Sequence, residues 1–196
     1  MRLRALLYAL PMCLLAPVVS SAQGEHAGAL KAMVLTGQNN HGWQVLSAHY
    51  ETVLEATGLF EVDVVTSPPR GADMSGFAPD FASYDVVVIE YNGDDWPRRV
   101  QKSFERYMEN GGGMVYAHAV NHTFTNWVAF NEMMGIGGWG GRDEAAGPYV
   151  KYRDGQMVLD HRPGHAGECV DAHAFSVVTR ETDHPIMRGL PPVWLH

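Results

Sequence analysis

Short apolar runs alternate with stretches in which apolar positions recur every three or four residues. Ala32-Met33-Val34-Leu35-Thr36, Val62-Asp63-Val64-Val65-Thr66, Asp85-Val86-Val87-Val88-Ile89 and Met114-Val115-Tyr116-Ala117-His118 read as strands. Val86-Val87-Val88-Ile89 lacks polar alternation, as expected of a strand covered on both faces. Between the first two runs, Val45, Leu46, His49, Tyr50, Val53 and Leu54 fall on one helical face, and Gly58 closes that helix. Pro97 suits a helix start, with Val100, Phe104, Tyr107 and Met108 at helical spacing and Gly111-Gly112-Gly113 as the stop. Trp127, Phe130, Asn131 and Met134 outline a further helix.

This strand–helix alternation predicts a doubly wound parallel α/β sheet, its four strands at 32–36, 62–66, 84–90 and 114–118, with helices on both faces. The second half is less regular. Residues 135–141 hold five glycines, too permissive for a helix, while 150–158 and 174–178 read as strands of another layer or of a sheet extension.

The first residues read as an export signal. Arg2 and Arg4 precede an apolar stretch that runs to Val19, and Ser20-Ser21-Ala22 offers a small-residue cleavage site. The expected organisation is a signal peptide over 1–22, a short linker over 23–30 and one domain over 31–196, in a periplasmic or extracellular protein. The apolar run is broken by Pro11 and Pro17 and is short for a membrane span, so no insertion is expected once the signal is removed. The formal charge of the whole chain is −8, and loss of Arg2 and Arg4 makes it two units more acidic. Such a surface argues against nucleic acid and anionic membranes as partners. Beyond the signal, Cys169 is the one cysteine, so no internal disulfide is expected. The end on Leu190-Pro191-Pro192-Val193-Trp194-Leu195-His196 lacks a polar tail and reads as a C-terminal truncation. Composition leaves the oligomeric state open.

In open parallel sheets ligands gather at the carboxyl ends of strands. Three runs here end in polar groups: Thr36 leads to Gln38-Asn39-Asn40-His41-Gly42-Trp43, Ile89 leads to Glu90-Tyr91-Asn92-Gly93, and Ala117 leads to His118-Ala119-Val120-Asn121-His122. His118 and His41 are candidate general acid/base groups, with Glu90 assisting. Amides and indole rings suit sugar hydroxyls and ring faces, which makes Asn92, Asn121, His122, Trp43 and Trp127 candidate binding residues. His118 and His122 stand at i and i+4, which on a helix is also a metal-ligand spacing. A divalent-metal site drawing on His41, His118, His122 and His173 is the alternative, although no C-x-x-C or H-E-x-x-H motif supports it, and no cofactor is otherwise expected. Asp94 and Asp95 are expected to cap the helix at Pro97.

The stretch from Gly37 to Trp43, the Tyr84-Asp85-Val86-Val87-Val88 strand with Tyr91-Asn92-Gly93, and the glycine triplet resemble the ThuA-like, or trehalose-utilisation, family. Tyr116 to Phe124, continuing through Trp127, Phe130-Asn131, Met134 and Gly135, is the specific part, and His184-Pro185-Ile186 with Gly189-Leu190-Pro191 completes it. The resemblance implies a flavodoxin-like sheet of the class I glutamine amidotransferase type and a role in carbohydrate metabolism, on disaccharides or their 3-keto derivatives. Those amidotransferases carry a nucleophilic cysteine at the turn after the strand that here ends at His118. No cysteine lies there, so glutamine hydrolysis is not expected. Family members commonly continue past the position of His196 into an acidic Asp-Glu-Leu-Tyr stretch, which agrees with the truncation. The expected function is an exported enzyme acting on a disaccharide or 3-keto-glycoside by histidine acid/base chemistry; the alternatives are a non-catalytic sugar-binding or interaction module and a metal-dependent hydrolase.

Overall fold

A computed structural model describes residues 28–135, 137–164 and 173–196. The expected export signal, Cys169 and His165 lie outside them. Strands β1 (Leu30–Thr36), β2 (Phe60–Thr66), β3 (Val86–Ile89) and β4 (Gly113–Tyr116) form one parallel sheet in the order β2-β1-β3-β4. Helix α1 (Trp43–Ala56) joins β1 to β2, and α2 (Arg98–Glu109) joins β3 to β4. The chain leaves β1 toward one edge of the sheet and β3 toward the other. Right-handed crossovers therefore send α1 and α2 to opposite faces. The two strands part at a topological switch point, where loops diverge and leave a crevice.

Register shows how unequally the faces are packed. Residues i and i+2 share a face, and partners across a parallel sheet point the same way. Met33, Leu35, Val87, Ile89, Met114 and Tyr116 occupy one face, and all belong to or pack against the main core. There α2, the segment before it and the 3-10 turn Phe81–Ser83 bring Phe104, Trp96 and Phe81 onto the strands. Helix α3 (Val128–Met134) and the segment before it add Phe124, Trp127 and Phe130. Trp96 and Phe124 meet edge to face at 4.8 Å, as do Phe124 and Phe130 at 5.0 Å. Each such ring contributes on the order of 1.5–3 kcal/mol by its burial.

Val64, Val34, Val88 and Val115 take the other face, beside α1. Val34 is fully buried, but Val115 is 55% exposed. The apolar stripe of α1 does not sink into a core as its spacing suggested. Ser47 is the one buried residue described on that helix, and Val45 is 75% exposed. The helix packs on β1 and β2, and its first turns border a cavity beside the ends of β3 and β4.

The irregular second half forms two small antiparallel pairs. β5 (Tyr149–Arg153) and β6 (Gln156–Asp160) make a hairpin through Asp154 and Gly155, both in the left-handed region, as a two-residue turn requires. β7 (Ser176–Val178) pairs with β8 (Val193–Leu195). At the hairpin's end Asp160 takes hydrogen bonds from Arg162 and then Lys151, which hold its carboxyl far below the usual range. No helix among the described residues is long and apolar enough to cross a membrane.

The first strand's exit depends on one glycine. Gly37 has φ +122°, and a Cβ there would sit 2.6 Å from the Ser67 backbone nitrogen and 2.8 Å from its carbonyl oxygen. Ser67 cannot retreat, because its N–H is bonded to the Thr36 carbonyl at 2.8 Å. Gly37→Ala is expected to cost about 2–3 kcal/mol, from backbone strain and the displaced contact. Gly58→Ala, strained at φ +69° but facing open space, should cost about 1–2 kcal/mol. Urea denaturation of both variants checks the order; equal losses would show that the loop yields at no cost.

Candidate functional site

The loops at the switch point are tied together by one buried amide. Gln38 donates from Nε2 to the Pro68 carbonyl at 2.7 Å, and its Oε1 accepts the Asp94 N–H at 2.8 Å. Its backbone carbonyl takes the Asn92 N–H at 2.8 Å. The segments following β1, β2 and β3 thus share a single anchor. Asp94 and Asp95 do not cap α2: its N-cap is Pro97, without a side-chain cap bond, and the Asp94 carboxylate instead accepts the Gly71 N–H.

Above this anchor lies a cavity of about 530 Å³, within the range that suits small-molecule ligands. His41, Glu90, His118 and Tyr50 supply its polar lining; Val45, Leu46 and Ala117 supply apolar surface. The sheet dictates this grouping. Glu90 follows Val88 by two residues and Ala117 follows Val115 by two, so both continue the α1 face. His41 comes from the β1–α1 loop, and His118 opens the 3-10 turn after β4.

The two imidazoles meet, with Nε2 of His41 3.1 Å from Nε2 of His118 and ring centroids 4.7 Å apart. A hydrogen bond at this distance needs one nitrogen to donate and the other to accept. Two donors or two lone pairs would repel. At this contact one facing nitrogen carries the hydrogen and the other offers its lone pair.

Glu90 is 1% exposed. Its Oε1 accepts from Asn39 Nδ2, whereas Oε2 is buried without a partner. Burial pushes its carboxyl above the ordinary range, and the neighbouring His41 acts in the opposite direction. Tyr50 is also raised, first by burial and then by the Glu90 charge.

The remaining candidates stand elsewhere. Asn92 donates from Nδ2 to Asn40 Oδ1 at 3.0 Å, shaping the loop rim. Asn121 accepts the Gly138 N–H at its carbonyl, and its Oδ1 is buried without a partner. His122 ends the turn that His118 begins. In a 3-10 helix, with three residues per turn, i and i+4 diverge by about 120°, so the helical pairing with His118 does not form. His122 is not part of the cavity lining. Trp43 is partly buried at the start of α1 and is not a cavity wall. Trp127 is 2% exposed within the aromatic core and donates from Nε1 to Glu105 at 2.9 Å, so it offers no ring face to a ligand. Among the described residues no group of three or more His, Cys, Asp or Glu is placed to hold a metal.

Sequence reasoning missed Tyr50 and Val45 as lining residues and Asn39 as a partner of Glu90. The helical stripe contained the first two but pointed equally well to a core. The Asn39–Glu90 contact spans 51 residues and leaves no local pattern.

A family model described as trehalose utilisation, ThuA, matches residues 31–196. Among solved structures, a ThuA-like protein from Parabacteroides merdae ATCC 43184 is 44% identical with a TM-score of 0.77, covering 86% of this chain and 60% of that one. A ThuA-like protein from Bacteroides uniformis ATCC 8492 shares the fold at 21% identity and a TM-score of 0.56, covering 89% of this chain and 61% of its own. The chain thus spans about three fifths of the length of these neighbours. No curated protein matches it.

The buried carboxyl makes stability pH-dependent. A raised acid holds its proton to higher pH in the folded state than in the unfolded chain, so stability falls as pH rises from the unfolded value through the folded one. Glu90→Gln preserves the neutral shape. It is expected to match the native protein below about pH 4 and to exceed it at pH 8, by about 1.4 kcal/mol for each tenfold rise in proton affinity. Urea titrations at the two pH values measure this; a variant less stable than the native chain at pH 8 would contradict it.

Proposed function

This chain belongs to the ThuA family, and we propose that it acts on a disaccharide or 3-keto-glycoside by proton transfer at the His41–His118 pair. The observation that carries the reading is the 3.1 Å contact of two exposed imidazoles that line a ligand-sized cavity at the sheet's carboxyl edge. A ketone in a sugar ring acidifies the neighbouring C–H. A base must remove that proton and an acid must stabilise or protonate the oxygen that gains charge. Imidazole exchanges protons near neutral pH, which suits His118 as the group that takes the C–H proton and His41 as its relay.

Glu90 serves as the second acid at the oxygen. Val45, Leu46 and Ala117 suit the C–H face of a sugar ring, while Tyr50 offers a hydroxyl at the rim. Elimination of the glycosidic substituent and isomerisation share this first proton transfer. Asn92 and Asn121 remain candidates for ligand hydroxyls at the edge of the same loops. Export to the periplasm or cell exterior, read from 1–22, is proposed with the same substrate class.

Turnover of a panel of 3-keto-glycosides and their parent disaccharides by the full-length protein tests the reading. His118→Ala is expected to lower kcat by about 10²–10⁴-fold while leaving the fold intact. His161→Ala, on an exposed loop outside the cavity, should be unchanged. Equal activity in both variants would remove His118 from the mechanism and favour a non-catalytic sugar-binding module. Elemental analysis of the same preparations tests the metal-dependent alternative.

A further inference from the structure

The two oxygens of Glu90 have different surroundings. Oε1 has a donor in Asn39 Nδ2, and Oε2 is buried with none. The Asn39 amide cannot be turned over, because its Oδ1 accepts the His41 backbone N–H at 3.1 Å. Reversal would set an NH₂ group against that N–H, donor against donor. Nδ2 must therefore face Oε1.

A neutral carboxyl group has one carbonyl oxygen, the stronger acceptor, and one hydroxyl, which donates and accepts more weakly. A proton on Oε1 would leave the Asn39 N–H only a hydroxyl oxygen to bond, a poorer acceptor than the carbonyl oxygen. The proton accordingly resides on Oε2. We propose that Asn39 is a positioning residue: it directs the Glu90 proton onto Oε2, the buried oxygen without a protein partner in a residue that lines the cavity. Donation moves one proton from Oε2 to a ligand oxygen and leaves a carboxylate that still accepts the Asn39 N–H; water returns the proton. The nature of that ligand oxygen, a ketone or hydroxyl of a sugar, rests on the proposed function. The assignment of the proton does not.

The same side chain also links the acid to the histidines. Asn39 bonds Glu90 through Nδ2 and the His41 backbone through Oδ1, and His41 touches His118 at 3.1 Å. One amide thus sets the carboxyl at the end of β3 in register with the imidazole pair. Burial favours the protonated form on which this role depends.

Infrared spectroscopy of the full chain with ¹³C-labelled glutamate tests the assignment. The carbonyl stretch of protonated Glu90 is the band that appears on acidification and is missing in Glu90→Gln. A carbonyl that accepts a hydrogen bond absorbs at lower frequency than one that does not. Asn39→Ala and Asn39→Ser are expected to move the band to higher frequency, with circular dichroism unchanged. In the same variants kcat for a keto-glycoside should fall at least tenfold with little change in KM. An unmoved band in a folded variant overturns the proposal. If neither variant folds, the native band decides, because a frequency typical of a free carbonyl would overturn it equally. A moved band without turnover by any form of the protein leaves the proton assignment standing and removes the keto-sugar reading. Turnover that requires His118, with an unmoved band, removes the assignment alone.

Discussion

The structure depends on packing one face of a four-stranded parallel sheet with aromatic rings. Phe81, Trp96, Phe104, Phe124, Trp127 and Phe130 form a continuous layer against Leu35, Val87 and Ile89, and they hold α2 and α3 in place. Phe124 accepts a left-handed backbone, φ 54°, to enter that layer, a strain of about 1–2 kcal/mol that its buried ring offsets. With so much apolar surface on one side, the other side is free to be thin. There α1 covers two strands and leaves the ends of β3 and β4 bordering a cavity.

That asymmetry explains how a charged-capable group becomes buried at the site. Glu90 continues β3, where backbone pairing to β1 fixes it, and its N–H is bonded to the Leu35 carbonyl at 2.9 Å. The strand cannot turn the side chain to solvent without breaking its register. Gln38 holds the surrounding loops, so the carboxyl, the imidazole pair and the Asn39 amide are held by rigid neighbours before any ligand arrives. Preorganised polar groups of this kind act without reorganising during reaction.

The four strands and three helices were legible because uninterrupted apolar runs and 3.6-residue stripes are local signals. The meeting of His41 and His118 was legible only as a shared sheet edge, since both follow strands whose ends the topology brings together. Three features were not legible, for identifiable reasons. His118 and His122 lie on a 3-10 turn, whose three-residue period has no sequence mark distinct from an α-helix. Trp127 precedes Phe130 by three residues, a core spacing that its motif context disguised. The α1 stripe carried no sign of whether its partner was a core or a cavity. Asn39 was hidden most completely, because its role depends on a carboxyl far along the chain.

In the proposed function the His41–His118 pair moves a proton at a carbon beside a sugar ketone. Hydrogen exchange reads that step directly, whatever bond breaks afterwards. A 3-keto-glycoside incubated with the full-length protein in deuterium oxide, followed by proton NMR, should lose the signal of the hydrogen adjacent to the ketone faster than in buffer alone. His118→Ala should return the rate to that of buffer. Exchange no faster than buffer with the native protein, or undiminished in His118→Ala, would contradict the account.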